Sequence, residues 1–248
     1  MKQILFALQF LTIIPVKLKK FEDKYIAGSM VYFPFIGLFL GLILAGANNL
    51  MTVMKLEELS ISIILAVLLV ILTGGIHLDG LADTADAFLS RKNKDEMLAI
   101  MRDSHIGVMG VVSLISILLL KIAFIYSLAP GLRNPSLLLM CVLSRFSLVL
   151  AMEISPYARK EGKAKIFFEG ADTKILFLSA LMAFVLAIAI SGIKGLTLMA
   201  LTAALTFFIV RLVIRKIGGI TGDTLGALCE IMEVVVLSGA LLLKGVSL

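Results

Sequence analysis

The sequence predicts an all-α fold, a polytopic integral membrane helical bundle with about seven transmembrane helices and a short N-terminal interfacial or re-entrant helix. Three observations predict it. Of 248 residues, 60% are hydrophobic and only 16% charged, where a soluble domain is roughly half apolar and a quarter charged. Mean hydropathy is +1.08, more apolar surface than one water-soluble core of this size can hide. The third is the loop charge. Segments 17–29, 77–106, 155–174 and 211–224 carry sixteen Lys or Arg, against four elsewhere between the spans and at the C-terminus (Lys55, Arg133, Lys194 and Lys244). That asymmetry assigns the first set to the cytoplasm.

A bilayer core of about 30 Å takes roughly 20 apolar residues per helix. Apolar runs of this order lie near 31–54, 59–76, 107–128, 136–153, 175–192, 195–214 and 225–243. Residues 1–16 hold one Lys and a short apolar run; no small-residue cleavage site follows, and Pro15, Lys17, Lys19 and Lys20 close it off. It reads as a retained helix, not a signal peptide. Gly37 and Gly41 form a GxxxG spacing that permits close helix packing. There is no convincing repeat, so residues 1–248 read as a single membrane-embedded domain.

The net charge of +6 does not point to nucleic acid, because the basic residues behave as orientation signals. Cys141 and Cys229 both sit in apolar runs without CxxC spacing, which supports neither a disulfide framework nor a zinc site.

Chemistry concentrates at Gly74-Gly75-Ile76-His77-Leu78-Asp79-Gly80-Leu81-Ala82-Asp83-Thr84-Ala85-Asp86. Asp79, Asp83 and Asp86 are spaced i, i+4, i+7 and share one helix face, where like charges repel. A hard divalent cation removes that cost, and carboxylate oxygens suit Mg²⁺, Mn²⁺ or Ca²⁺. A solvated acidic face without a ligand is the plainer alternative. The segment is otherwise apolar and leaves a span, where unpaired charge is expensive, and that favours metal. Mg²⁺ commonly shares substrate phosphate oxygens, so phosphate or diphosphate chemistry follows from the pattern.

Other constellations fit the same chemistry. Arg102 and His105 can meet phosphate, while Asp103 can bind metal or cap a helix. His77 and His105 are the only histidines, and either can act as a general base. Arg145 lies inside a span, as an anion clamp or as a structural ion pair with Glu230 or Glu233. Arg159 beside Pro156 and Tyr157 suits a phosphate, whereas Lys160, Lys163 and Lys165 need only orient the chain. In Gly218-Gly219-Ile220-Thr221-Gly222-Asp223-Thr224, backbone N–H groups at a helix start can cradle phosphate, and Asp223 can complete a metal shell.

Together these strings resemble the cobalamin synthase family, the adenosylcobinamide-GDP ribazoletransferases of the late corrin pathway. The resemblance runs from Gln9-Phe10-Leu11-Thr12 through Phe33-Pro34, the Gly74–Asp86 string, Met101-Arg102-Asp103-Ser104, Ser144-Arg145 and Tyr157-Ala158-Arg159 to Thr221-Gly222-Asp223-Thr224-Leu225-Gly226-Ala227, with Glu230 and Glu233. Ala87 stands where the family usually has Gly, and His105 where it usually has Arg. The resemblance implies a multi-pass enzyme of a prokaryotic cytoplasmic (inner) membrane with its active site facing the cytoplasm. It implies Mg²⁺-dependent joining of adenosylcobinamide-GDP to α-ribazole or its 5′-phosphate, with release of GMP. Asp79, Asp83, Asp86 and Asp223 would bind the metal, with Asp79, Asp83 and His77 as catalytic residues. Arg102, Asp103, His105, Arg145, Arg159, Gly218, Gly219, Thr221, Gly222 and Thr224 would contact substrate. Its partners would be those substrates and membrane lipid, with self-association or late corrin-pathway enzymes left open. A CDP-alcohol phosphotransferase or prenyltransferase also places spaced Asp residues on membrane helices, but lacks the Gly-Gly-x-His-x-Asp-Gly string. A transporter should show broken spans at midplane in matching halves, whereas these motifs cluster at one face.

Overall fold

Gly74 and Gly75 both adopt left-handed backbone angles, with φ of 63° and 68°, a conformation open to glycine at little cost. Two such residues in succession end one helix and start the next at 92° to it. The structure is a computed structural model that describes residues 2–16, 23–162 and 164–245. Its elements are α1 (Lys2–Leu11), α2 (Asp23–Ser29), a 3-10 turn (Met30–Tyr32), α3 (Phe33–Val53), α4 (Glu58–Thr73), α5 (Ile76–Leu89) and α6 (Lys94–Ile100). They continue with α7 (Val108–Ser127), α8 (Pro130–Glu153), α9 (Lys165–Gly170), α10 (Thr173–Ile217) and α11 (Gly222–Leu242). Among the described residues there is no strand, only one isolated bridge between Tyr157 and Ile220. That is the expectation in a bilayer, where each backbone polar group must find a partner within its own segment.

Helix α10 holds 45 residues, about 68 Å at 1.5 Å per residue and more than twice a bilayer core. It breaks at Ser191 and Gly192, whose angles are not helical. The arms fold back on each other there, so that a side chain at Gly195 would strike the carbonyl of Ala187. Among the described residues five helices are long and apolar enough to cross a membrane, those ending in α3, α7, α8, α10 and α11, or six if α4 and α5 form one bent span. The sequence reading of about seven counts α4 and each arm of α10 as a span. The all-α membrane fold read from the sequence is the one observed.

Three span boundaries differ from the sequence reading. The fourth span starts at Pro130 rather than 136, because Pro occupies a first-turn position that needs no N–H. Arg133, which reads as a loop residue, is buried and bonded to Asn48 and to Glu58 at 2.5 Å. The second span ends at Thr73, where the glycine corner cuts it short. The seventh begins at Gly222, capped by Thr221.

Helix α8 is the buried axis of the bundle, flanked by α3, α10 and α11. Gly37 and Gly41 of α3 lie against its backbone; a Cβ on Gly41 would come within 2.8 Å of Leu138 Cα. The outer faces of α3, α4, α7 and α10 expose Phe39, Val67, Ile115, Leu119 and Phe184, among others. A continuous apolar exterior of this kind faces lipid. Helix α1, ten residues long, is too short to cross. It buries Ala7 and Leu11, and the Ile13 N–H donates to the Leu72 carbonyl at 2.9 Å. It therefore lies on the bundle at the end where α4 finishes.

Helix α5 leaves α4 sideways at the glycine corner and crosses the start of α11. Gly80 and Gly226 make this crossing: a Cβ on Gly80 would sit 2.6 Å from the Asp223 carbonyl oxygen. Overpacking of a close contact costs about 1–3 kcal/mol, and about 1 kcal/mol moves Tm by roughly 2–4 °C in a chain of this length. Gly80→Val should therefore lower the detergent-solubilised Tm by about 5 °C or more. A variant that melts with the wild type would show that the crossing does not depend on glycine.

Candidate active site

The crossing of α5 and α11 brings distant parts of the sequence to one end of the bundle. Pro156 and Ala158 are stitched to Ile220 by two backbone hydrogen bonds, Ile220 N–H to Pro156 O at 2.9 Å and Ala158 N–H to Ile220 O at 2.8 Å. This pairing fixes Arg159, whose Nη2 donates to Asp223 Oδ2 at 2.6 Å. A cavity of about 270 Å³ opens here. Its polar wall is Asp79, Asp223, Arg159, Tyr157 and His77, and its apolar floor includes Phe33, Leu148, Met152 and Phe167.

The acidic face of α5 divides by role. Asp79 lines this cavity and also a second, shallower one of about 550 Å³ beside the glycine corner, where Ile106, Leu114 and Leu118 form the other wall. Asp83 is half-buried. Desolvation, reinforced by the charges of Asp79, Asp223 and Asp86, pushes its pKa up to about 6. A carboxylate whose proton is held this firmly by its neighbours marks a converging negative field without enough counter-charge. Asp86 points elsewhere. Its two oxygens accept the N–H groups of Gly107 (2.7 Å) and Gly110 (2.8 Å), so it caps the start of α7. The metal role expected of Asp86 is thus replaced by a capping one.

Among the described residues, no three His, Cys, Asp or Glu side chains are gathered closely enough to hold one metal ion by themselves. The donor set fits a shared ion instead. Mg²⁺ is usually held by one or two carboxylates and completes its shell with water and substrate phosphate, and Asp79, Asp83 and Asp223 offer hard oxygens.

Much of the expected phosphate cradle is structural. Gly218 ends α10 with φ of 82°, and Gly219 lies against the Pro156 carbonyl, where a Cβ would come within 2.5 Å. The Thr221 N–H donates to Thr224 Oγ1 at 2.8 Å, and the Thr224 N–H returns to Thr221 Oγ1 at 3.2 Å. Both threonines are buried in this capping box. Of these residues only Gly222 reaches the cavity, alongside Asp223. Arg102, Asp103 and His105 lie on an exposed loop outside it. The carboxylate of Asp103 binds the His105 ring at 2.6 Å and its N–H at 3.0 Å. Those bonds hold Asp103 below its usual pKa and raise that of His105. Arg102 stands near enough to Tyr157 for its charge to act on the phenol.

His77 lines the cavity but is 6% exposed. Burial, then the charge of Arg145, pushes its pKa down to about 3. Such a ring is neutral at pH 7 and accepts a proton poorly, which fits badly with a general base. Arg145 is not at the cavity at all. It is wholly buried and pairs with Glu233, with Nη1 also donating to Ser144 at 2.9 Å. The structural reading of Arg145 replaces the anion clamp.

Glu233 also takes an ion pair from Lys121 of α7, which bonds Glu230 at 2.6 Å. Lys121 was not legible as a functional residue. It sits alone in an apolar run and has no local partner, since both carboxylates lie more than a hundred positions away. A lone Lys within an otherwise apolar span was the only signal.

Comparison with known proteins is decisive at this point. A family model described as Cobalamin-5-phosphate synthase matches residues 3–241. The chain belongs to this family. An adenosylcobinamide-GDP ribazoletransferase of Desulforamulus reducens is 37% identical over 92% of this chain and 91% of its own. Relatives of the same name from Geotalea daltonii (34%, 93% of each chain) and Roseiflexus sp. (39%, 94% of this chain and 86% of the relative) align as fully. No solved structure matches. As a cobalamin synthase the chain is an enzyme, a transferase of cobalamin synthesis. Of the two positions where the resemblance departs from the usual family residue, Ala87 is buried in regular helix, and His105 is 90% exposed and paired with Asp103.

Two measurements probe this cobalamin synthase site. Lys121→Met leaves two buried carboxylates with Arg145 alone, and breaking a buried pair costs about 3–5 kcal/mol. Its Tm should fall by on the order of 10 °C, and adding Glu230→Gln, which restores neutrality, should recover most of the loss. No recovery would mean that Lys121 acts through packing instead. The second concerns Asp83. Its folded pKa is raised above the unfolded value of 3.8, so the folded state holds the proton more tightly. Without divalent cations, the contribution of Asp83 to stability should rise as pH falls from 7 through about 6 toward 4, while the buried His77, with its pKa lowered, contributes in the opposite sense. The Asp83 contribution is therefore read as the difference in Tm between wild type and Asp83→Asn. That difference should shift in favour of the wild type by a few degrees over this range, because the group is partly exposed and screened. A difference that stays constant with pH would show that Asp83 does not take up the proton.

Proposed function

We propose that this protein joins adenosylcobinamide-GDP to α-ribazole, or to its 5′-phosphate, and releases GMP, as a Mg²⁺-dependent transferase working at the cytoplasmic face of a prokaryotic inner membrane. The names of the relatives supply the substrate class. One observation of this chain carries the reading: two acidic side chains from different helices, Asp79 and Asp223, share a cavity with the guanidinium of Arg159. The loop charges support the cytoplasmic side, because the ends of the helices that bear the site are those joined by the basic segments.

In the reaction, an acceptor ribose hydroxyl attacks the phosphorus that carries the corrinoid. An O–P bond forms, the bridging P–O bond breaks, and its electron pair leaves on the phosphate of GMP. The hydroxyl proton passes to the acidic side of the cavity. Charge builds on the bridging and leaving oxygens, which must be neutralised in a setting of low dielectric. Arg159 would do this by a forked contact, exchanging Asp223 for a phosphate. Asp79 and Asp83, with Asp223 beside them, would hold Mg²⁺, which supplies Lewis-acid charge neutralisation when bound. Asp86 holds the start of α7 against α5 through the Gly107 and Gly110 N–H groups.

Purified protein supplied with adenosylcobinamide-GDP, α-ribazole and Mg²⁺ should yield the corrinoid product and GMP, and chelation should abolish turnover. Turnover that survives chelation would sink the metal, and absence of any corrinoid product would sink the substrate assignment. Asp83→Ala should insert and fold normally yet lose at least about a hundredfold in kcat, the scale of losing several kcal/mol of charge stabilisation. Near wild-type rates would reduce the acidic face to a structural feature.

A further inference from the structure

We infer that the cavity at the α5–α11 crossing is the acceptor subsite, and that its aromatic floor selects the apolar base of α-ribazole over guanine. This rests on the substrates proposed above and says which of them enters. Three bodies compete for the place: the corrin ring, the guanosine of the donor and the nucleoside acceptor. At about 270 Å³ the cavity lies at the lower edge of small-ligand sites. It has room for a single nucleoside and none for a corrin, which must stay at the mouth.

The floor decides between the two nucleosides. Phe33, Leu148, Met152 and Phe167 are each at most 3% exposed and present no hydrogen-bonding side-chain group. Phe10 of α1 completes an aromatic cluster, with ring centroids 4.5 Å from Phe167 and 5.8 Å from Phe33. A guanine base seated there would bury its carbonyl and amino groups without partners, which is costly. The base of α-ribazole is a benzimidazole bearing two methyl groups, with no donor on its rim, and it stacks favourably against such rings. The polar groups line the same cavity as a cluster of their own, with Arg159 bonded to Asp223 at 2.6 Å. Asp79, Asp223 and Arg159 would there meet the ribose and the reacting phosphate, so the acceptor enters base first with its hydroxyls toward the carboxylates. The guanosine half of the donor then lies outside the aromatic floor. Helix α1 gains a role from this arrangement, since it contributes Phe10 to the wall.

The test is equilibrium binding of α-ribazole and of GMP, each alone, to the wild-type protein and to Met152→Asn and Phe10→Leu, with melting temperatures checked in parallel. Steady-state KM values for acceptor and donor complete it. Both variants should bind α-ribazole at least tenfold more weakly and raise the acceptor KM likewise, with GMP affinity and donor KM within about twofold of wild type. Met152→Asn should also narrow the preference for α-ribazole over a purine nucleoside acceptor. The inference is overturned if GMP binding or the donor KM moves instead, or if neither ligand responds in a variant that folds normally. If the wild type binds α-ribazole but forms no corrinoid product, the proposed reaction fails while the subsite stands.

Discussion

Everything at the active end depends on a set of charges that never reaches it. Lys121 of α7, Arg145 of α8 and Glu230 and Glu233 of α11 meet in the interior with their formal charges balanced. In an apolar medium none of them can stand alone, because an unpaired ion costs several kcal/mol. Pairing therefore dictates which helices are neighbours and at what height along the spans. Apolar packing between helices in lipid is poorly directional, since lipid tails compete for the same surface. The ion cluster supplies the register that packing alone would leave loose.

With α7, α8 and α11 fixed, the glycine corner does the rest. It turns α5 out of the fourth helix's direction and lays it across the start of α11, where Gly80 and Gly226 let the backbones touch. A larger residue at that crossing would lift α5 and draw Asp79 away from Asp223. Close approach and negative charge thus come from one geometry: the contact that packs tightly also crowds carboxylates. The raised pKa of Asp83 records its burial first and that crowding second. A site that is strained by its own charge and relieved by a cation and a phosphate is poised for binding both.

Much of this was legible in the sequence, and the reasons are local. Spans follow from runs of apolar residues, and the shared face of Asp79 and Asp83 follows from helical periodicity. The glycine corner is visible as Gly74-Gly75. What could not be read is direction. Asp86 has the same spacing as its neighbours, yet its carboxylate turns to two N–H groups of α7, a partner some twenty residues onward. Arg145 offered two readings, and only the packing of α8 against α11 settles that it pairs with Glu233. Lys121 carries only the signal of an isolated cation in a span, which acquires meaning from carboxylates on another helix. The fourth span was foreshortened because Arg133 looks like a loop residue until Glu58 and Asn48 are seen beside it.

The same separation of local pattern from partner explains why the two most specific motifs serve both fold and chemistry. In the Thr221–Thr224 string, the threonines and the preceding glycines hold a turn and a helix cap, leaving Gly222 and Asp223 to face the cavity. In the Gly74–Asp86 string, Gly75, Gly80 and Asp86 shape and anchor the helix while Asp79 and Asp83 carry the charge. A carboxylate that must meet a phosphate with little tolerance needs its backbone held from several sides. The residues that do the holding are then as tightly constrained as those that react. A motif rich in glycine, threonine and aspartate at such a place therefore need not consist of ligands. Here its length reflects the two helices that must cross closely enough for a few oxygens to converge.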